Sequence, residues 1–438
     1  MTATDPHELP GVEEVGEELH DLIRELFPIC RSITGNGLRQ TFEVIGERIP
    51  LEVTEVPTGT QVLDWTVPQE WNVEAAWVAG PDGERVVDFA DSNLHLLGYS
   101  VPVRRRLPLA ELKEHLWSLP EHPDRIPFRN SYYSPNWGFC LPHRVLESLP
   151  EGEYEVCIDS TLEDGSLTYA EAFVPGESED EVLVSGYACH PSMANDNLSG
   201  LALMALLARH LSGQQPRLSY RFLFSPGTIG PIAWLARNEE RLDRVKHGLV
   251  CLCVGDPGPL TYKKSRRGDA EIDRAAQLVL RDSGEPFEVH EWEPWGGDER
   301  QFNSPGFNLP VGTLTRSAPG SFPEYHTSAD DLDFVRPEAL ARSFRAYLDV
   351  FDVLETNAAY VNLSPKGEPQ LGRRGLYRAI GAGQGTHVNE LSLLWVLNLS
   401  DGEHTLVDVA EQSGLTYAQV RDAARTLVEH DLLEPASN

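Results

Sequence analysis

Nowhere do the 438 residues hold an uninterrupted apolar stretch of the ~18 residues a membrane span needs, so no transmembrane helix is expected. The N-terminus, MTATDPHELPGVEEVGEELHD, is acidic and lacks an apolar signal region, which predicts a cytoplasmic protein rather than a secreted one. Cysteine is scarce. Six residues (30, 140, 157, 189, 251 and 253) in a chain this long do not make a disulfide framework. Cys251 and Cys253 alternate within an apolar run, which suits buried reduced thiols better than a metal clip. Positive charge is scarce too: 36 Lys and Arg face 68 Asp and Glu, for a formal charge of −32. That balance favours solubility and argues against nucleic acid, whose binders need a basic footprint. Ser32 and Ser265 have no nucleophile signature around them, so serine-hydrolase chemistry is not expected.

What is present fits a soluble globular chain of two or three domains, 41% apolar and 24% charged. Residues 14–49 read as helical, with Leu19, Leu22, Ile23, Leu26 and Phe27 at helical spacing and a turn in CRSITGNGLRQT. From 57 to 149 the character changes. Trp65, Trp71, Trp77, Tyr99, Tyr132, Tyr133 and Trp137 lie among Pro, Gly and Asp turn signals, and short alternating runs predict antiparallel strands. The only helix expected there covers 109–119, and the aromatics are read as core.

From Tyr154 strands and helices alternate as in an α/β domain. Strands are expected at 181–185, 220–224, 248–254 and 309–314, helices at 198–211, 229–238 and 270–283, and a closing helix after Arg336-Pro337. Beyond the Pro/Gly-containing SPKGEPQLGRRG, the segments 391–399, 405–410 and 417–430 give the pattern of a winged helix-turn-helix. Residues 388–438 carry nine acids and two arginines, Arg421 and Arg425, so protein packing or homo-oligomer formation is preferred over DNA for this part.

Chemistry concentrates at strand ends. The run 181–185, read as a buried strand, leads into GYACHPSMANDNLSG, which offers His190 and, within the polar turn Asn195-Asp196-Asn197, Asp196 just before a helix. Asp256 follows the next strand; Asp298 and Glu299 sit in GGDERQF; His326 sits in PEYHTSADDLDFV beside Glu324, Tyr325 and Asp330. Imidazole and carboxylate are zinc ligands, and open α/β sheets place their sites at the carboxyl ends of strands. Histidines and several acids along one sheet edge are what a di-metal hydrolase requires, with one carboxylate bridging two ions roughly 3.5–4 Å apart. Each acid taken singly would serve equally as a cap.

HPSMANDNLSG, the strand-ending Asp256, GGDERQFNSPGFNLPVGTL and EYHTSADDLDFV resemble the metal motifs of the co-catalytic zinc aminopeptidases. The whole chain, including DWTVPQEWNV, SNLHLLGYS, SYYSPNWGFC and RGLYRAIG, resembles a bacterial family of aminopeptidase-like proteins, often found with polysaccharide or secondary-metabolite genes. The resemblance implies an α/β fold: a zinc-aminopeptidase-like mixed sheet flanked by helices (1–56 and 150–358). An inserted β-rich domain (57–149) and a C-terminal winged helix-turn-helix (359–438) complete it. It implies zinc, as one or two divalent ions, with His190 and Asp256 on one, His326 on the other, Asp196 bridging, and Asp298 on the substrate side.

There is one departure. Where those enzymes carry two consecutive glutamates, the general base and a ligand of the second ion, this chain reads SPGTIGPIAWL, with Gly227 and Thr228 in those places. Loss of a general base costs about 10²–10⁴-fold in rate. The expectation is a metal-dependent hydrolase acting on an amide-like bond of a small or peptide-like substrate, with Glu324 or Glu299 as base. Lys264 and Arg266, in the run 263–267, would grip a substrate anion, with Tyr325 also facing the substrate. The alternative is a non-peptidase binding or assembly protein on the same scaffold. Arg104-Arg105-Arg106 is read as a solvated face; Trp292 and Trp295 are read as pocket wall or core.

Overall fold

A computed structural model describes residues 12–377 and 390–436. They fall into two compact units, Met1–Gly268 with Glu288–Phe344 and Asp269–Phe287 with Arg345–Asn438. No helix among the described residues is long and apolar enough to cross a membrane.

The first unit is built on an eight-stranded mixed sheet. Its order is Glu52–Pro57, Ser166–Val174, Ser219–Ser225, Glu181–Tyr187, Val245–Cys251, Val311–Thr315, Leu260–Lys263 and Phe287–His290. The four middle strands run parallel, and antiparallel strands flank them. Glu181–Tyr187 and Ser219–Ser225 are buried at every position, as expected when both faces of a sheet are covered. Leu183, Leu223 and Val250 share one cluster with Ile232 and Trp234 of helix Ile229–Asn238. The residues between them face the other way, and helix Gly200–Ser212 packs on the same strands. Within this sheet Arg221 is 7% exposed and bonds both oxygens of Glu181 (2.7 and 3.0 Å) and Oε1 of Glu171 (3.0 Å).

A second sheet, of order Arg85–Asp88, Glu70–Ala79, Glu153–Glu163 and Val103–Pro108, is antiparallel throughout. Its longest strand bends at Asp164-Gly165 and continues as Ser166–Val174 of the large sheet, so one short connection joins the two. Trp71, Tyr99 and Trp137 are buried in its core, whereas Tyr133 is half exposed. The helix expected at 109–119 is shorter: one α-turn, Leu109–Leu112, runs into a 3₁₀ turn and then strand Leu116–Trp117. Helix His143–Ser148 lacks the apolar periodicity that would have marked it.

In the second unit, strands Asp401–Thr405, Ala359–Asn362 and Leu433–Pro435 form an antiparallel sheet beside helices Glu390–Leu399, Leu406–Ser413 and Tyr417–Glu429. Thr405 with Asp408, and Thr416 with Gln419, close capping boxes at the starts of the last two helices. Arg421 pairs with Asp352 and Asp422, and Arg425 Nη2 lies 3.1 Å from Asp422. Residues 378–389, which hold part of RGLYRAIG, lie outside the described residues.

Candidate metal centre

Each parallel strand of the large sheet hands its carboxyl end to one wall of the site. Tyr187 leads to Cys189-His190, Ser225 to Gly227-Thr228, Cys251 to Cys253, and Thr315 to the loop that carries His326. Among the described residues, eight non-glycines have positive φ, and four of them gather here: Ser192 (43°), Thr228 (66°), Cys253 (47°) and His326 (55°). Such conformations cost free energy and persist only where neighbours over-determine them, which is a mark of functional sites.

The turn Ala194–Ser199, which carries Asp196, is buried and non-helical at Asp196 and Asn197. It is held from both sides. Asp330 accepts from the backbone N–H groups of Asn195 (2.6 Å) and Asp196 (2.9 Å). The Asn195 and Asn197 side chains bind Gly255 N, Cys253 N and the Cys251 carbonyl at 2.9–3.2 Å. Gly200 follows because any Cβ there would stand 2.3 Å from Asn197 Oδ1. On the other wall Arg31, 2% exposed, donates from Nε to the His190 carbonyl at 2.9 Å and from Nη1 to Leu26 O at 2.7 Å.

These supports bring His190, Asp196 and His326 together with their ligand atoms all within 4.8 Å of one another. Asp196 Oδ2 and His326 Nε2 are both buried and face each other at 3.0 Å, and neither has a further hydrogen-bond partner among the described residues. Two such atoms left facing a common point fit a shared cation, and two imidazoles with one carboxylate form a zinc-type donor set. Burial holds His190 down at about 4, so its ring is neutral and free to ligate. Burial alone would raise Asp196, but His190, His326 and Tyr187 outweigh it and keep the carboxyl at about 2. The imidazole of His326 stacks on Tyr325 with ring centres 3.9 Å apart, and Phe128 packs against both His190 and His326. Phe128 arrives on a segment that pairs with the His326 loop through Phe128 N to His326 O (2.8 Å) and Ser328 N to Ile126 O (2.8 Å).

Next to the three residues lies a cavity of about 220 Å³, walled by His190, His326, Asp298, Arg300, Tyr132 and Tyr325, with Gly227 and Thr228 at its edge. Asp298 is 3% exposed; its Oδ1 accepts from Thr228 N at 2.7 Å and its Oδ2 is buried without a partner. Burial, with Glu299 nearby, pushes its carboxyl up to about 7 despite Thr228 N–H and Arg300. Asp298 therefore exchanges a proton near neutrality.

The structure separates the other expected residues from this group. Asp256 is not in the ligand cluster: both its oxygens are filled by Gly258 N, Ser317 Oγ and N, and Asn195 Nδ2, so it anchors the turn instead. Neither expected base reaches the cavity. Glu299 is 1% exposed and bound to Lys263 Nζ at 2.6 Å, and Glu324 lies 3.5 Å from Arg125. Lys264 pairs with Glu291 and Arg266 with Asn308, both away from the lining. Trp295 is 74% exposed. Sequence reading missed Tyr187, Cys253, Arg31 and Arg300. Cys253 had one signal: it ends the apolar run whose expected acid was placed three residues later.

An eight-stranded mixed sheet with helices against it, its parallel strands in the middle, is the fold of the zinc aminopeptidases. The zinc aminopeptidase BSAP of Bacillus subtilis superposes with a TM-score of 0.58 at 13% identity, over 80% of this chain and 96% of that one. The chain itself belongs to the family described as Domain of unknown function (DUF4910), whose model matches residues 20–357; a winged helix-turn-helix model matches 358–435. A Clostridium acetobutylicum protein is 52% identical over 96% of this chain and 97% of its own length. It carries the provisional name of a polysaccharide biosynthesis protein with aminopeptidase-like domain. A crystal structure from C. acetobutylicum, provisionally described as a peptidase, matches with a TM-score of 0.93 at 50% identity, covering 97% of each chain.

Proposed function

We propose that the chain is a metal-dependent hydrolase acting on an amide-like bond of a small substrate. The observation that carries this reading is the convergence of His190, Asp196 and His326, with Asp196 Oδ2 and His326 Nε2 buried 3.0 Å apart and no further partner among the described residues, beside a cavity of about 220 Å³. A divalent ion, zinc by its donors, would be held by these three residues and would supply Lewis acidity towards a carbonyl and towards water. Asp298 is the acid–base group of the cavity. Its carboxyl, in the cavity lining, takes a proton from the attacking water and returns it to the leaving amine, in the role the missing glutamate would have filled. Arg300, which lines the cavity and reaches Thr228 Oγ1 with Nη2 at 3.4 Å, orients an anionic or carbonyl group of the substrate. The aromatic walls Tyr132 and Tyr325 exclude water from the reacting bond.

The name of the C. acetobutylicum relative directs attention to sugar-linked amides as well as short peptides. The test is a panel of dipeptides, N-acyl amino acids and N-acylated amino sugars offered to zinc-loaded full-length protein, with the released amine measured. Turnover of one class, abolished by a chelator and slowed about 10²–10⁴-fold by Asp298→Asn, is expected. No turnover on any class, together with no metal uptake, would overturn the reading.

A second reading, a binding or assembly protein on the same scaffold, is favoured by Gly227-Thr228 standing where the glutamate pair would be. Tight binding of a panel member without its hydrolysis by the metal-loaded protein would select it.

A further inference from the structure

The zinc-aminopeptidase motifs imply two ions sharing Asp196, yet only one oxygen of Asp196 faces the histidines. Oδ2 is the atom 3.0 Å from His326 Nε2. Oδ1 is covered twice: the Tyr187 phenol donates to it, and the Cys253 thiol lies 3.9 Å from it. Both covering groups are buried, Tyr187 at 7% and Cys253 at 0% exposure, so they are fixed parts of the wall. Cys253 is set in place by its left-handed backbone and by its N–H bonded to Asn197 Oδ1 at 3.2 Å.

The ligands a second ion would need are absent as well. Asp256 spends both oxygens on Asn195, Gly258 and Ser317. Gly227 and Thr228 supply no carboxylate, and a Cβ on Gly227 would already stand 3.3 Å from Cys189 Sγ. Three separate features therefore leave no carboxylate set for a pair of ions: the second bridging oxygen is capped, the acid expected beside His190 is engaged, and the one expected beside His326 is missing.

We infer that the centre is mononuclear, one divalent ion on His190, Asp196 Oδ2 and His326, with Tyr187 and Cys253 capping Asp196 Oδ1 rather than binding metal. The inference rests on the metal reading above and deepens it by fixing the ion count and by assigning two residues to the cap. A thiol that caps a carboxylate leaves the ion with nitrogen and oxygen donors only, which has a spectroscopic consequence.

The experiment loads metal-stripped full-length protein with zinc, cobalt(II) or manganese(II) and reads the site without any substrate. Native mass spectrometry and elemental analysis should find one ion per chain at saturation. Cobalt should give visible ligand-field bands that plateau at one equivalent, with no sulfur-to-cobalt charge-transfer band in the near ultraviolet. Manganese should give the resonance of an isolated ion, without the broadening of a coupled pair. Two ions per chain, a coupled signal, or a charge-transfer band lost in Cys253→Ser overturns the inference while leaving the metal reading standing. No ion at all removes both. The double variant Tyr187→Phe/Cys253→Asp uncaps Oδ1 and adds a carboxylate at a left-handed position that Asp tolerates. It should take up a second, weaker ion, and a stoichiometry that stays at one would show that these two residues are not what closes the place.

Discussion

Asp330 grips the turn of Asp196 by accepting the Asn195 and Asp196 backbone N–H groups, one on each carboxylate oxygen, at 2.6 and 2.9 Å. The ligand is thus aimed by a second acid that does not join the ligand cluster. Supporting groups of this kind commonly carry about 10–100-fold of metal affinity. Asp330→Asn keeps the shape but offers an N–H₂ to an N–H, so one bond is lost. Zinc affinity, measured by chelator competition, should fall by about that factor. Unchanged affinity would mean that the turn holds its own conformation.

The ligands themselves should be less forgiving than their support. Asp196→Asn removes the only carboxylate of the cluster, and His326→Ala removes one of its two imidazoles. Each should lose more than the roughly 100-fold upper value for a supporting group. Asp256→Asn should instead show its effect mainly in thermal unfolding, because Asp256 holds Asn195, Gly258 and Ser317. Equal loss of metal by Asp196→Asn and Asp256→Asn in folded protein would contradict the placement of Asp256 outside the centre.

Asp298 makes a pH prediction with a definite sign. Burial raises its folded carboxyl to about 7, above the ordinary value of 3.8. Between those values the folded state holds a proton that the unfolded chain has released, so this group's contribution to stability falls as pH rises through that window. Asp298→Asn should remove that slope, seen as a flatter dependence of chemical-denaturation midpoint on pH. In catalysis the ionised form is needed, so kcat/KM should climb through pH about 7. Asp298→Asn should be slower by about 10²–10⁴-fold. An Asn variant that keeps the wild-type pH–rate profile would take the base role away from Asp298.

Much of the first unit was legible because its signals are local. Buried strands such as 181–185 and 220–224 read as short, mostly apolar runs broken only by Glu181, Ser185 and Arg221, and the winged helix announced itself through spaced apolar segments. His190, Asp196 and His326 were legible for the same reason, each following or preceding a marked turn. What failed was depth. Asp256 looked like a ligand because it follows a strand, but the chain turns at Cys253, whose φ is 47°, and sends Asp256 to Ser317. Glu299 sits beside Asp298, and the difference between cavity and salt bridge is one residue of helix rotation towards Lys263. The Phe128 segment meets the His326 loop across about two hundred residues of chain, and no spacing rule reports such a contact.

Arg221 offers a test of the scaffold apart from the chemistry. Among the described residues it alone bonds Glu181's two side-chain oxygens, and it shares Glu171 Oε1 with Trp234 Nε1 (2.8 Å) and Arg241 (3.3 Å). Breaking a buried pair by removing one member costs about 3–5 kcal/mol, because the remaining charge is stranded. Arg221→Met should therefore lower the unfolding free energy by about that amount. Glu181→Gln should cost less, since Arg221 retains Glu171. Replacing Arg221 and Glu181 together by apolar residues of matching volume should recover most of the loss, because no charge is then left unpaired on that side. Urea unfolding of the three variants decides the matter: if the double replacement is as unstable as Arg221→Met, packing around the guanidinium rather than charge pairing holds this part of the sheet.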